Sequence, residues 1–208
     1  MRSHIHPCAG LLAFFAKSLS GARVRWVDRP SAPLPRVYFA NHSSHLDFVV
    51  LWAALPRTVR LRTRPVAAQE YWQSTALRSY VATEIFRSLL VPRFDVSPLA
   101  GRAVLAPLLE QLDRGGSLIL FPEGTRGNGD EVAGFKGGLY QLCRERPHVE
   151  AVPVFLENLH RVLPKGQLFP LPFRSRVTFG RPLLLEGSEG NREFLARARQ
   201  ALLELKER

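Results

Sequence analysis

The chain has 208 residues, 46% of them hydrophobic, and a formal charge of +11 from 29 Lys and Arg against 18 Asp and Glu. This is enough apolar chain to bury one core, which excludes a disordered polymer, and no run reaches the roughly 18 uninterrupted apolar residues of a membrane-spanning helix. The excess of cations asks for an anionic partner, whether nucleic acid, an anionic membrane or a phosphorylated substrate.

Nucleic acid is the weakest of these, because the chain carries no zinc finger, no RNP signature and no isolated basic tail. Two cysteines, Cys8 and Cys143, make no disulfide framework and suit a reducing compartment. Residues 8–20 form an apolar helix candidate containing Lys17 and followed by Arg23-Val24-Arg25-Trp26. That mixture suits a retained helix lying in a membrane interface, with Trp26 at head-group level; packing on its own domain is the alternative. The domain boundary is placed at residue 30, with a membrane-associating segment over 1–30 and one domain over 31–208. Asp28 to Pro35 is a proline-rich link.

Arg36–Ala40 reads as a short strand. Asn41-His42-Ser43-Ser44-His45-Leu46-Asp47 follows, and Phe48–Leu55 reads as a helix stopped by Pro56. Ser44 is a candidate N-cap. If His42 lies before the helix and Asp47 in its first turn, the two meet, and an imidazole held by a carboxylate is a general base. The same residues also fit a capping box between Ser44 and Asp47, or a fragment of a metal site made by His42, His45 and Asp47.

Four arginines crowd Arg57–Arg64. Val66-Ala67-Ala68 reads as a strand, 75–88 as a helix, and Leu89–Val91 leads to Pro92-Arg93. Ser97-Pro98 opens a helix that runs to about Arg114 and stops at Gly115-Gly116. Ser117–Phe121 reads as a buried strand running into Pro122-Glu123-Gly124-Thr125-Arg126. A proline ends the ladder, a glycine frees the backbone, and a hydroxyl and a forked cation follow, which suits a phosphate. Gly134-Phe135-Lys136-Gly137-Gly138 opens a helix to about Arg146, with Lys136 placed for an anion. Val149–Val154 is a strand that Pro153 is expected to end. Leu159–Arg176 is rich in Pro and basic residues and fits a membrane-dipping loop or a folded excursion. Ser175–Leu183 is a last strand, and Asn191 caps a final helix.

The two motifs resemble those of the lysophospholipid acyltransferase family, which includes the 1-acylglycerol-3-phosphate acyltransferases. That family carries Asn-His-x-x-x-x-Asp and, some 80 residues later, Phe-Pro-Glu-Gly-Thr-Arg. Here Asn41–Asp47 and Phe121–Arg126 match in full, with Glu123 81 positions after His42. The resemblance covers roughly residues 20 to 185. It implies an α/β fold: a single domain with a mixed, mostly parallel sheet flanked by helices, preceded by the N-terminal interfacial helix.

The resemblance further implies transfer of an acyl group from acyl-CoA or acyl carrier protein to a lysophospholipid hydroxyl. No cofactor and no metal are expected. His42 and Asp47 become catalytic candidates. Arg93, Glu123, Gly124, Thr125, Arg126 and Lys136 become substrate-binding candidates, and amides around Gly124 are one source of an oxyanion hole. Glu123 is expected to bind a glycerol hydroxyl or to organise Arg126 and nearby amides. Membrane lipids are the expected partners, at the cytoplasmic face of a membrane. The family often has a lysine where Ala68 stands, an acidic residue where Pro92 stands, and Ser or Asn in place of Gly127. The missing lysine leaves room for another acceptor, such as a lyso-ornithine lipid. A metal-dependent hydrolase and a non-catalytic basic binding module are the rival classes.

Overall fold

The computed structural model describes residues 21–29, 35–44, 46–92, 98–129, 131–159 and 175–206. The expected helix over 8–20, Arg93, Ser97, His45 and the loop over 160–174 lie outside them. Seven strands form one sheet in the order β1-β7-β6-β2-β5-β3-β4. They are β1 (Arg23–Trp26), β2 (Arg36–Ala40), β3 (Thr63–Ala68), β4 (Leu89–Val91), β5 (Ser117–Leu120), β6 (Glu150–Glu157) and β7 (Arg176–Phe179). Among the described strands, β6 and β7 pair antiparallel and the other pairs are parallel. The mixed, mostly parallel α/β sheet expected from the sequence is therefore present.

The helices are α1 (Asp47–Ala54), α2 (Arg57–Arg60), α3 (Gln69–Trp72), α4 (Ala76–Tyr80), α5 (Pro98–Asp113), α6 (Gly138–Glu145) and α7 (Asn191–Leu203). Strand β2 is buried along its whole length because helices cover both faces of the sheet. Tyr38 and Ala40 pack with Leu51 and Trp52 of α1 and with Leu55, just after it. Val37 and Phe39 point the other way, against Leu139 and Leu142 of α6 and Phe194 and Ala198 of α7. The chain leaves β2 towards β3 through α1 on one face, and leaves β5 towards β6 through α6 on the other. Neighbouring parallel strands whose connections depart in opposite directions make a topological switch point, where open α/β sheets bind ligands beyond the carboxyl ends of the strands. His42 and Phe121 stand at those two ends.

Several local expectations change. Arg23–Trp26, assigned to the segment before residue 30, is the edge strand β1 paired to β7. Trp26 stacks on Phe179 with ring centroids 3.8 Å apart, as in the alternative in which this segment packs on its own domain. Pro153 does not end β6. It sits opposite Phe39 inside the strand, and although it cannot donate, its carbonyl accepts from Gly180 N at 2.8 Å. The helix expected over 75–88 splits into α4 and a π-helical turn over Val81–Ile85. Thr83 Oγ1 donates to Ser79 O at 2.9 Å within this stretch, and such local bonds compete with regular helix. Helix α7 is capped by Glu193, whose carboxylate accepts from Gly190 N at 2.9 Å, and Asn191 is its first residue rather than its cap.

Candidate active site

The histidine loop begins with a side chain imitating a strand. The β2–β6 ladder ends at Ala40, and the Asn41 carboxamide continues it. Asn41 Nδ2 donates to Leu156 O at 2.9 Å, and its Oδ1 accepts from Leu156 N at 2.8 Å. Strand β6 keeps its partner while the backbone turns away, and His42 is delivered just beyond the carboxyl end of β2.

His42 Nδ1 lies 2.8 Å from Asp47 Oδ2. The same oxygen accepts from Ser43 N at 2.6 Å and Ser44 N at 2.8 Å. Asp47 is fully buried, whereas the His42 side chain keeps 21% of its surface exposed. Asp47 thus makes half of the expected capping box, by reaching back to Ser44 N, and holds the imidazole as well. Ser44 is not the N-cap: α1 starts at Asp47, and Ser44 Oγ accepts from Leu46 N at 3.3 Å inside the preceding turn. The His42 ring also stacks on Phe121, centroids 4.3 Å apart. Held at Nδ1 and on one face, the imidazole is left with Nε2 for chemistry.

Of the two roles expected for Glu123, the hydrogen bonds fit the organising of nearby amides. Its carboxylate is buried, and its two oxygens accept from two main-chain donors: Oε1 from His42 N at 2.8 Å and Oε2 from Ala133 N at 2.9 Å. With Gly127 N donating to His42 O at 2.8 Å, the two motifs are stitched together across 81 positions. Only a carboxylate accepts on both oxygens, which gives a physical reason for Glu here rather than Gln. Glu123→Gln should turn an NH2 group towards one of these N–H donors. The expected cost is about 1–3 kcal/mol of stability and a lower kcat at nearly unchanged acceptor KM. A rise in acceptor KM alone would instead show direct contact between Glu123 and the acceptor.

A cavity of about 450 Å³ opens beside His42, within the range of small-molecule sites. Its depth is apolar, with Leu108, Leu120, Leu139 and Leu142. Arg126 and Lys136 stand exposed at its solvent edge. The Arg126 guanidinium lies 5.7 Å from the centre of the Tyr71 ring. Gly124, also in the wall, has φ +71°, and the Lys136 side chain lies across it where a Cβ would come within 2.8 Å. Gly124 N donates to Phe121 O at 3.1 Å, so this amide closes a turn and is not aimed at an oxyanion. Thr125 is exposed and is not in the cavity wall. Ala68 is in the wall.

Cys143 is fully buried, and burial pushes its thiol up to about 12, far from a thiolate nucleophile. Among the described residues no three His, Cys, Asp or Glu side chains gather as a metal site. Sequence reasoning gave no role to Asn41, Phe121 or Tyr71. The first two lie inside the motifs, where position alone could have flagged them.

Fold and site together define a class: an α/β protein that presents a carboxylate-held imidazole to an apolar cavity edged by two cations, suited to an amphiphile with an anionic group. A sequence model described as Acyltransferase matches residues 24–157, and the chain belongs to that family. Mouse 1-acyl-sn-glycerol-3-phosphate acyltransferase alpha is 30% identical over 182 residues, covering 85% of this chain and 60% of the relative. A chloroplastic 1-acyl-sn-glycerol-3-phosphate acyltransferase of Arabidopsis thaliana is 26% identical over 137 residues, 66% of this chain and 36% of the relative. The chain therefore spans about a third to three fifths of the length of these curated relatives. The crystal structure of the 1-acyl-sn-glycerophosphate acyltransferase PlsC from Thermotoga maritima has the same fold. Its TM-score is 0.72 at 17% identity, covering 96% of this chain and 78% of that one.

Proposed function

We propose that this chain moves a fatty acyl group from an acyl thioester, acyl-CoA or acyl carrier protein, to the free hydroxyl of a lysophospholipid. Lysophosphatidic acid, giving phosphatidic acid, is the acceptor that the site suits best. The observation that carries this reading is the partly exposed His42, held by Asp47 and sharing one cavity wall with Arg126 and Lys136.

His42 Nε2 takes the proton from the acceptor hydroxyl as its oxygen attacks the thioester carbonyl. The tetrahedral intermediate collapses, the C–S bond breaks, and the leaving thiolate takes the proton from the imidazolium. Asp47 steadies that imidazolium and fixes its tautomer. The thioester is already activated, so the protein needs no covalent nucleophile, and positioning supplies much of the rate. Arg126 and Lys136 hold the acceptor phosphate, and the leucine-lined depth takes an acyl chain.

The work is done at the cytoplasmic face of a membrane, where the acceptor lipid meets a thioester donor. The charge of +11 and the exposure of Leu77 (73%) and Tyr80 (47%) on α4, soon after Tyr71 and Trp72 of the cavity wall, support this. Among the described residues no helix is long and apolar enough to cross a membrane. A lyso-ornithine acceptor is a second reading, favoured by the uncharged Ala68 in the cavity wall.

Membranes carrying the protein, given lysophosphatidic acid and a long-chain acyl-CoA or acyl carrier protein, should yield phosphatidic acid. Failure across both donors and a panel of lyso-lipids would overturn the reading. Arg126→Ala should raise KM for a phosphorylated acceptor by about 10- to 100-fold, the worth of a charge-assisted hydrogen bond. A rise confined to the donor KM would move Arg126 to the donor's phosphate.

A further inference from the structure

We infer that Arg199, on the final helix α7, is a positioning residue that sets His42 through an unbroken relay of hydrogen bonds. This rests on the acyl-transfer reading above for its catalytic consequence. Arg199 lies outside residues 24–157, the part of the chain matched to the family.

The relay starts on a rigid mount. Phe194, Ala198 and Leu202 of α7 are fully buried against the sheet, and Arg199 leaves the helix beside Ala198. Its guanidinium fork grips two consecutive carbonyls. Nη2 donates to Val132 O at 2.6 Å, and Nε donates to Val132 O at 3.2 Å and to Ala133 O at 3.4 Å. The next link is the Ala133 amide, which donates to Glu123 Oε2 at 2.9 Å. Glu123 Oε1 then accepts from His42 N at 2.8 Å. Arg199, Glu123 and His42 line one cavity of about 340 Å³.

Arg199 supplies a polar clamp to the carbonyl side of this stretch. Residues 132–136 form no helix or strand, so no ladder fixes them. Besides Arg199 and Glu123, the stretch is tied by Lys136 N, which donates to Pro122 O at 2.8 Å, by the buried Val132 side chain and by the Phe135 ring set edge-on to Phe39. It carries the amide that holds Glu123 and also Lys136 at the edge of the acyl cavity. Two N–H groups of one planar fork converge on Val132 O, whereas an ammonium offers a single point charge. Without the fork the stretch relaxes, Glu123 loses one donor, and the His42 backbone loses its fixed acceptor. Misplacing a catalytic group by about 1 Å costs up to ~10²-fold in rate.

The test compares wild type with Arg199→Gln, Arg199→Lys and, as a control on the exposed face of the same helix, Arg192→Gln. Arg199→Gln should lower kcat by roughly 10- to 100-fold with a smaller change in donor KM, and Arg199→Lys should recover part of the loss. A merely structural clamp would lower the melting temperature and leave kcat per folded molecule unchanged. Hydrogen exchange at the His42 amide gives a readout independent of activity: it should quicken by about tenfold or more in Arg199→Gln, as for a local opening, and stay slow in Arg192→Gln. An unchanged kcat, or a His42 amide as protected as in wild type, overturns the inference. Wild type that is silent with every acceptor would remove the acyl-transfer reading instead, and the exchange comparison would then decide the relay by itself.

Discussion

His42→Ala should lower acyl transfer by about 10² to 10⁴-fold, the usual contribution of a general base, while the protein stays folded. The ring is partly exposed, and its removal leaves Asp47 with the Ser43 and Ser44 amides as donors. One hydrogen bond and the stack on Phe121 are lost. We therefore expect a stability loss of only about 1–2 kcal/mol. Steady-state kinetics beside a thermal melt reads both numbers. Turnover within a few-fold of wild type would take the base role from His42. A large fall in melting temperature would mean that the ring supports the loop more than it acts on substrate.

Substitutions at Asp47 separate stability from orientation. Asp47→Ala strips the acceptor from two main-chain amides and the His42 ring at once, in a position with no solvent access. Each stranded buried donor costs about 1–3 kcal/mol, so we expect a loss of about 2–5 kcal/mol, a large share of the stability of a typical domain. Asp47→Asn keeps the shape and one oxygen for the Ser43 and Ser44 amides. Its NH2 group would take the place of Oδ1, which is buried and has no hydrogen-bond partner among the described residues. The fold should persist, but the negative charge that steadies the imidazolium is gone. We expect kcat to fall by about two to four orders of magnitude at a melting temperature much closer to wild type than that of Asp47→Ala. Full activity in Asp47→Asn would reduce the carboxylate to a capping group.

Much of the fold was legible because its strongest signals are local. Val37–Ala40 and Leu118–Ile119 are apolar in both alternating positions, which marks strands buried on two faces. Gly115, at φ +73°, closes α5 where the sequence places the stop. The elements that were misread depend on partners far along the chain. Arg23–Trp26 is set apart from the domain by its composition, yet it pairs with β7, and Trp26 stacks on Phe179. Pro153 carries a strand-breaking signature, yet neighbours on both sides of β6 hold it in the ladder. The change from α4 to a π-helical turn within 75–88, where Thr83 bonds back to Ser79 O, is too fine a signal for apolar periodicity.

The site divides in the same way. The sequence by itself determined which chemistry is available: an imidazole and a carboxylate five residues apart around a helix start, and a strand end carrying an arginine. It also determined the family, since two motifs at this spacing are hard to meet otherwise. Only the tertiary structure decided what each acid does. Asp47 reaches His42 because α1 begins at Asp47 and the turn before it folds back. Glu123 became a clamp because β2 and β5 are neighbours in the sheet and bring His42 N within 2.8 Å of it, while the stretch held by Arg199 brings Ala133 N to its other oxygen. Hydrogen bonds of this kind join residues far apart in the chain, and no periodicity or spacing encodes which of them will meet.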